Sequence, residues 1–318
     1  MFSIRRSLNT IPSMSIKAYV KMFDSVIKPT LLYGAEVWGA YIYNSNINDR
    51  RIINKMFADY TSFVEKIHSK FCKFTLTAPK RASNVAVRAE LGRYPLIINI
   101  ISSIYKYYLN IINRENTSLV KVALSIQGNL LNYKCKKGWL SFIALFIRYA
   151  HQDIQKYLRN QYELNFKSWL QDNAKLNIYR QIKNVFGVEQ YLFQVKNNQH
   201  KIAMLKFRLS MHNLPIEKGR HTGLERHNRS CPLCTCNSTG DEEHYFLYCT
   251  HPKYVLLRSE FKKTLLNINS NILQLNDNSL FIYLLACKDN EFMSATAAYV
   301  YEILTIYEHL TDTNNTIY

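Results

Sequence analysis

The sequence predicts a mostly α-helical fold, on three observations. Apolar residues recur at steps of three and four along much of the chain, the spacing that gathers them on one face of a helix. No sustained segment alternates apolar and polar residues as a half-buried strand does. Nine Gly and seven Pro among 318 residues are too few for an all-β chain dense in tight turns.

The helical stripes follow in order. Ile16, Tyr19, Val20, Phe23 and Ile27 make the first, and Pro29 is expected to end it, because proline lacks the N–H and crowds the preceding turn. Ile52, Ile53, Met56, Tyr60, Phe63, Val64, Ile67, Phe71 and Phe74 make a longer one. Pro95 suits the first position of a helix carrying Ile97, Ile100, Ile101, Ile104, Tyr108 and Ile112, with Asn99, Ser102, Ser103, Lys106, Asn110 and Asn113 opposite. Phe142, Ile143, Phe146 and Ile147 form another stripe, and Phe292, Ala295, Tyr299, Ile303, Ile306 and Leu310 the last. The longest apolar run, Trp139–Ile147, is half of the ~18 residues a membrane span needs, so no membrane partner is expected. The polar stretches 44–51, 113–118 and 212–229 are the boundary candidates. The third is clearest, because helical periodicity stops at Leu209 and a cysteine cluster follows.

At roughly 150 residues per domain the length suggests two domains. The formal charge is +18, which points to a polyanionic partner, nucleic acid or an anionic surface. The excess is unevenly placed: +9 over residues 1–100, +14 over 101–236 and −5 over 237–318. The last quarter is therefore expected to pack and not to meet phosphates.

Four of the seven cysteines, Cys231, Cys234, Cys236 and Cys249, fall within nineteen residues. Such clustering favours a metal site in a reducing compartment over a spread disulfide framework, the plain alternative being reduced thiols without metal. The spacing is Cys231-x2-Cys234, nine residues, His244, four residues, Cys249. A Cys-x2-Cys turn directs two thiolates at one ion, and a His and a Cys five apart close the tetrahedron. Three thiolates and an imidazole suit one structural Zn²⁺, and four protein ligands leave no open position for catalysis. Asp241, Glu242 and Glu243 are expected to orient the second ring nitrogen of His244, with Cys236 and His251 as substitute ligands. Upstream lie Lys218, Arg220, His221, Arg226, His227 and Arg229, a basic run able to hold phosphate. Tyr245, Phe246 and Tyr248 either stack on bases or form the module's own small core.

No Gly-x-Ser-x-Gly elbow, Gly-rich phosphate loop or His-Glu-x-x-His occurs. His200 and His212 read as packing or surface residues. Neither an enzyme nor a small-molecule substrate is expected.

Three blocks carry a resemblance. Residues 22–39, MFDSVIKPTLLYGAEVWG, resemble the start of the thumb region that follows the palm in reverse transcriptases of non-LTR retrotransposons. Residues 81–100, RASNVAVRAELGRYPLIINI, resemble a later piece of that region. Residues 206–221, KFRLSMHNLPIEKGRH, followed by CPLC and GDEEHYFLYC, resemble the C-terminal block with its Cys/Cys/His/Cys zinc knuckle. The blocks keep the family's order and span most of residues 20–260. The resemblance implies handling of RNA and target DNA during target-primed reverse transcription, with Cys231, Cys234, His244 and Cys249 as the knuckle's ligands. It divides the chain into thumb-like helices (1–92), a helical connector (93–196), a basic segment with the knuckle (197–260) and C-terminal helices (261–318). It also implies a nuclear or cytoplasmic location. Polymerase chemistry in that family needs a palm with paired carboxylates for two metal ions. The nearest match here, Phe57-Ala58-Asp59-Tyr60, has Tyr60 in place of the second carboxylate and lies in a helical stripe, so no polymerase activity is expected from this chain alone. The expected phosphate contacts are Lys134, Lys136, Lys137, Lys201, Lys206, Arg208, Lys218, Arg220, Arg226 and Arg229. Two other readings stand beside this one: a protein-interaction module that zinc merely staples, and one part of a longer polymerase.

Overall fold

The computed structural model describes residues 15–42, 52–58, 62–132, 138–147 and 153–315. The fold is mostly helical, and the β pairing among these residues consists of two isolated antiparallel bridges, Leu91 with Val188 and Ser230 with Thr239.

Each predicted stripe forms a helix, with instructive differences at the ends. The first runs from Ile16 to Met22, widens into a π turn over Phe23–Ile27 and continues through Lys28–Leu31. Pro29 does not stop it. The Lys28 N–H reaches back five residues to the Phe23 carbonyl, and this change of register absorbs the donor that proline lacks. The second stripe divides into Ile52–Ala58 and Phe63–Thr75. Ser62 accepts the Glu65 N–H at 3.3 Å and so starts the second piece. Ala58 closes the first piece, while Asp59 and Tyr60 lie outside the described residues. Ile97–Ile112 buries Ile97, Ile100, Ile101 and Ile104 as expected, whereas Ile112 is exposed; Ser102, expected on the opposite face, is buried and donates to the Ile98 carbonyl at 2.7 Å.

The chain divides into two compact units, residues 1–72 with 92–169 and residues 73–91 with 170–318. The four-part division read from sequence shares with them only the neighbourhood of residue 92.

In the first unit Ala35–Ile42 and Ile97–Ile112 lie against each other, and Trp139–Ile147 packs on both. A Cβ at Gly39 would stand 2.4 Å from Ile100 Cγ2, so only glycine permits this approach. Arg93 grips Asp24 through two bonds of 2.6 and 2.7 Å, and its guanidinium lies 5.3 Å from the Phe23 ring centroid. The Trp139 indole donates to the Glu36 carbonyl at 2.7 Å.

The second unit is built around Asn198–Arg208, which packs on the C-terminal helix Asn290–Asn315. Arg208 is 1% exposed. It donates to Glu90 at 3.1 Å, to Glu189 at 2.7 Å and to the Leu285 carbonyl. Tyr191 donates to the other Glu90 oxygen at 2.6 Å, and Lys183 pairs with Glu189. Burial opposes the Arg208 charge, yet the two carboxylates raise its pKa further above the ordinary value. Arg208 thus corrects the sequence expectation: it is a core residue that cannot reach a phosphate. Nothing local in the sequence separates it from Lys206, but position 208 falls on the inner face of its helix. Among the described residues no helix is long and apolar enough to cross a membrane.

Candidate metal centre

The centre grows out of the turn that ends Asn198–Arg208. Ser210 adopts a left-handed conformation (φ 48°), and Pro215 starts the short helix Pro215–His221 at a position that needs no N–H. The chain then crosses an exposed loop, 221–228, and returns through the Ser230–Thr239 bridge. Here the Cys231 N–H donates to the Ser238 carbonyl at 2.9 Å and the Gly240 N–H to the Arg229 carbonyl at 2.8 Å. A Cβ at Gly240 would lie 2.7 Å from Pro215 Cγ and 3.2 Å from Cys231 Cα. Glycine at this position lets the bridge dock against the helix start and sets Cys231.

The other two ligands come from one wide turn. Asp241 accepts the backbone N–H of His244 at 3.0 Å, and His244–Tyr248 winds as a π helix whose closing bond runs from the Cys249 N–H to the His244 carbonyl, 2.8 Å. An α-helix repeats every ~3.6 residues, so positions five apart diverge around its axis. The wider turn returns residue 249 to the side of residue 244.

These turns gather the Sγ atoms of Cys231, Cys234 and Cys249 and a ring nitrogen of His244 within 4.8 Å of one another. Cys234 Sγ lies 3.5 Å from His244 Nε2. Ligand atoms around tetrahedral zinc, at about 2.3 Å to sulfur and 2.0 Å to nitrogen, stand roughly 3.5–3.8 Å apart. The cluster therefore has the donor set and, within about an ångström of contraction, the spacing of a four-coordinate site. It can hold one metal ion. Cys231, His244 and Cys249 are buried and Cys234 is half-buried. A hydrogen bond from the Cys249 thiol, with further ones involving His244 and Tyr245, outweighs burial and lowers the Cys231 pKa to about 3. The Cys249 thiol is pushed up by the same bond, and burial pushes Cys234 up. Cys231 Sγ and Tyr245 Oη lie within hydrogen-bond reach of each other, at 3.1 Å.

The acidic C-terminal helices brace this turn. Tyr299 Oη donates to the Phe246 carbonyl at 2.7 Å, and Arg258 to the Cys249 carbonyl at 3.0 Å. The Phe246 ring sits among Phe207, Phe261, Phe281 and Tyr299 at centroid distances from 4.8 to 6.2 Å. Of the three rings singled out in sequence, Tyr245 and Phe246 are core, and Tyr248 alone faces solvent, at 47% exposure.

The neighbouring acids act differently from expectation. Asp241 holds the backbone of His244, not its ring. Glu242 is buried and accepts from Ser210 at 2.7 Å and from His212 Nε2 at 2.8 Å. The Leu214 N–H donates to His212 Nδ1, which leaves the ring proton on Nε2 for Glu242. His212 is a packing residue, as its sequence context suggests. His251 accepts the Lys253 N–H and caps Pro252–Ile268.

The basic residues divide into three groups. Lys134, Lys136 and Lys137 lie outside the described residues. Arg208 is buried, and Arg229 directs its guanidinium to the Leu224 and Ile216 carbonyls, bracing the exposed loop. Lys201, Lys206, Lys218, Arg220 and Arg226 retain exposed surface. Arg220 pairs with Glu217 at 2.7 Å and Arg226 with Asp241 at 2.9 Å. Lys218 lies 5.4 Å from the Tyr307 ring centroid. Lys175, which the sequence did not single out, lies 3.5 Å from Glu217 beside Arg220. No local motif marks it, because its neighbours are some forty residues away. Lys175, Glu217, Arg220, Arg226 and Asp241 line a cleft of about 300 Å³.

No known protein family matches the chain, and no curated protein or solved structure matches it either.

Proposed function

We propose that the chain binds one structural zinc ion through Cys231, Cys234, His244 and Cys249 and presents the adjoining basic segment to nucleic acid. On this reading it corresponds to the palm-less C-terminal part of a non-LTR retrotransposon reverse transcriptase, without polymerase activity of its own. Three thiolates and one imidazole favour zinc over harder divalent ions, and four protein ligands give it a structural role. The observation that carries the proposal is the double use of Asp241. One of its oxygens holds the backbone of His244 and the other holds Arg226. Ordering the metal turn therefore orders an arginine of the exposed basic loop. Within the chain the three quoted blocks are tied by ion pairs, Asp24 with Arg93 and Glu90 with Arg208.

Binding to a fluorescent RNA or DNA duplex across a salt series tests this. If Lys201, Lys206, Lys218, Arg220 and Arg226 all neutralise phosphates, the log–log slope on a DNA duplex is about −4.5. A flat response contradicts the proposal and favours the second reading, a zinc-stapled protein-interaction module. That reading draws on the internal pairing of Arg220 and Arg226, which reduces their free charge.

A further inference from the structure

Cys236 stands outside the ligand set yet beside it. Cys231 and Cys249 are buried and Cys234 is half-buried, whereas Cys236 is exposed. Its Sγ lies 2.7 Å from Cys234 Sγ, less than an ångström longer than a disulfide bond of about 2.05 Å. The local backbone holds the two together. Asn237 turns the chain in a left-handed conformation (φ 48°), and the Ser230–Thr239 bridge closes the loop behind it. Among the described cysteines no other pair includes a thiol open to solvent in contact with a ligand sulfur.

We propose that Cys236 is a site of oxidation by hydroperoxides, and that its modification converts Cys234 and Cys236 into a disulfide and releases the metal. The inference rests on Cys234 being a metal ligand, as argued above. In the first step the Cys236 sulfur attacks one peroxide oxygen and the O–O bond breaks. This gives a sulfenic acid on Cys236 and hydroxide, which takes up the proton shed by the thiol and leaves as water. In the second step the Cys234 sulfur attacks the Cys236 sulfur, the S–O bond breaks, and hydroxide departs as water with a proton from Cys234 or from solvent. In total two thiols and one hydrogen peroxide give one disulfide and two waters, with two electrons passing from sulfur to oxygen. The Cys234 lone pair that bound the metal is then in the S–S bond, and three ligands remain.

The test uses the full chain loaded with zinc, and its Cys236→Ser variant, which keeps all four ligands. Hydrogen peroxide is added and released zinc is followed with a chromogenic chelator. Peptide 230–253, which contains all four clustered cysteines, is then fragmented after differential alkylation. The expected result is a Cys234–Cys236 disulfide in the wild-type chain and zinc release about tenfold slower in the variant, because access and thiol position set susceptibility. Equal release rates, or a disulfide that joins Cys231 or Cys249 instead, overturn the proposal. The mapping reads independently of metal content. A preparation without zinc that still forms the Cys234–Cys236 bond supports the oxidation site and counts against the ligand set alone.

Discussion

Removing the metal is expected to loosen residues 230–241 and to lower the stability of the second unit by several kcal/mol. Structural zinc sites contribute about 10–16 kcal/mol of apparent binding free energy in isolated finger peptides. Here the effect is smaller, because Phe246 and Tyr245 remain anchored among the C-terminal aromatics. Cys249→Ser should match chelation, since Cys249 is buried and central, whereas Cys236→Ser should keep full metal content. Far-UV circular dichroism with a thermal scan, together with proteolysis of the loop 221–228, reads both. The affinity is also pH-dependent with a definite sign. The hydrogen bond from Cys249 lowers the Cys231 pKa, so of the three thiols this one opposes binding least. Cys234 and Cys249 are shifted upward and must each lose a proton. Uptake of the ion near pH 7 therefore releases protons, and affinity falls as the solution is acidified. A pH-independent affinity would contradict the arrangement of these thiols.

Arg208→Met is expected to be the most damaging substitution away from the metal. It leaves Glu90 without its guanidinium inside the core and strips Glu189 of one of its two cations. Breaking a buried ion pair from one side costs about 3–5 kcal/mol, far more than an exposed pair is worth. Urea unfolding at neutral pH measures the loss. Adding Glu90→Gln to Arg208→Met should recover part of it, because the orphaned charge is gone, although Tyr191 loses its ionised acceptor. The same variant separates a core role from a surface one. Arg208→Met should leave the salt slope of nucleic-acid binding unchanged in the folded protein, while Arg226→Ala should lower its magnitude by about one and leave the urea midpoint nearly unmoved.

The contrast between these two arginines shows what was legible in the sequence. Helices came through because period-three-and-four stripes such as Ile97 to Ile112 record one buried face per turn, which is a local property. The clustering of Cys231, Cys234, His244 and Cys249 came through because Cys-x2-Cys and a His and Cys five apart are also local patterns. The fate of each basic residue was not local. Arg208 differs from Lys206 only in which side of a helix it occupies, and the carboxylates that receive it, Glu90 and Glu189, are distant or unmarked in the sequence. Pro29 misled for a related reason, because a π turn upstream removed the clash that proline ordinarily imposes. Glu242 was expected to serve His244 from a neighbouring position, but that turn of the chain aims it at Ser210 and His212, thirty residues earlier.

If a zinc-held turn orders a basic surface for nucleic acid, losing the metal must weaken nucleic-acid binding. The most direct test is the affinity of the full chain for a labelled single strand and a labelled duplex at low salt, measured zinc-loaded and again after chelation. The expected result is salt-sensitive binding by the loaded protein that weakens at least about tenfold when the metal is removed, since the basic loop loses its framework. Equal binding with and without zinc, or no binding in either state, would contradict it.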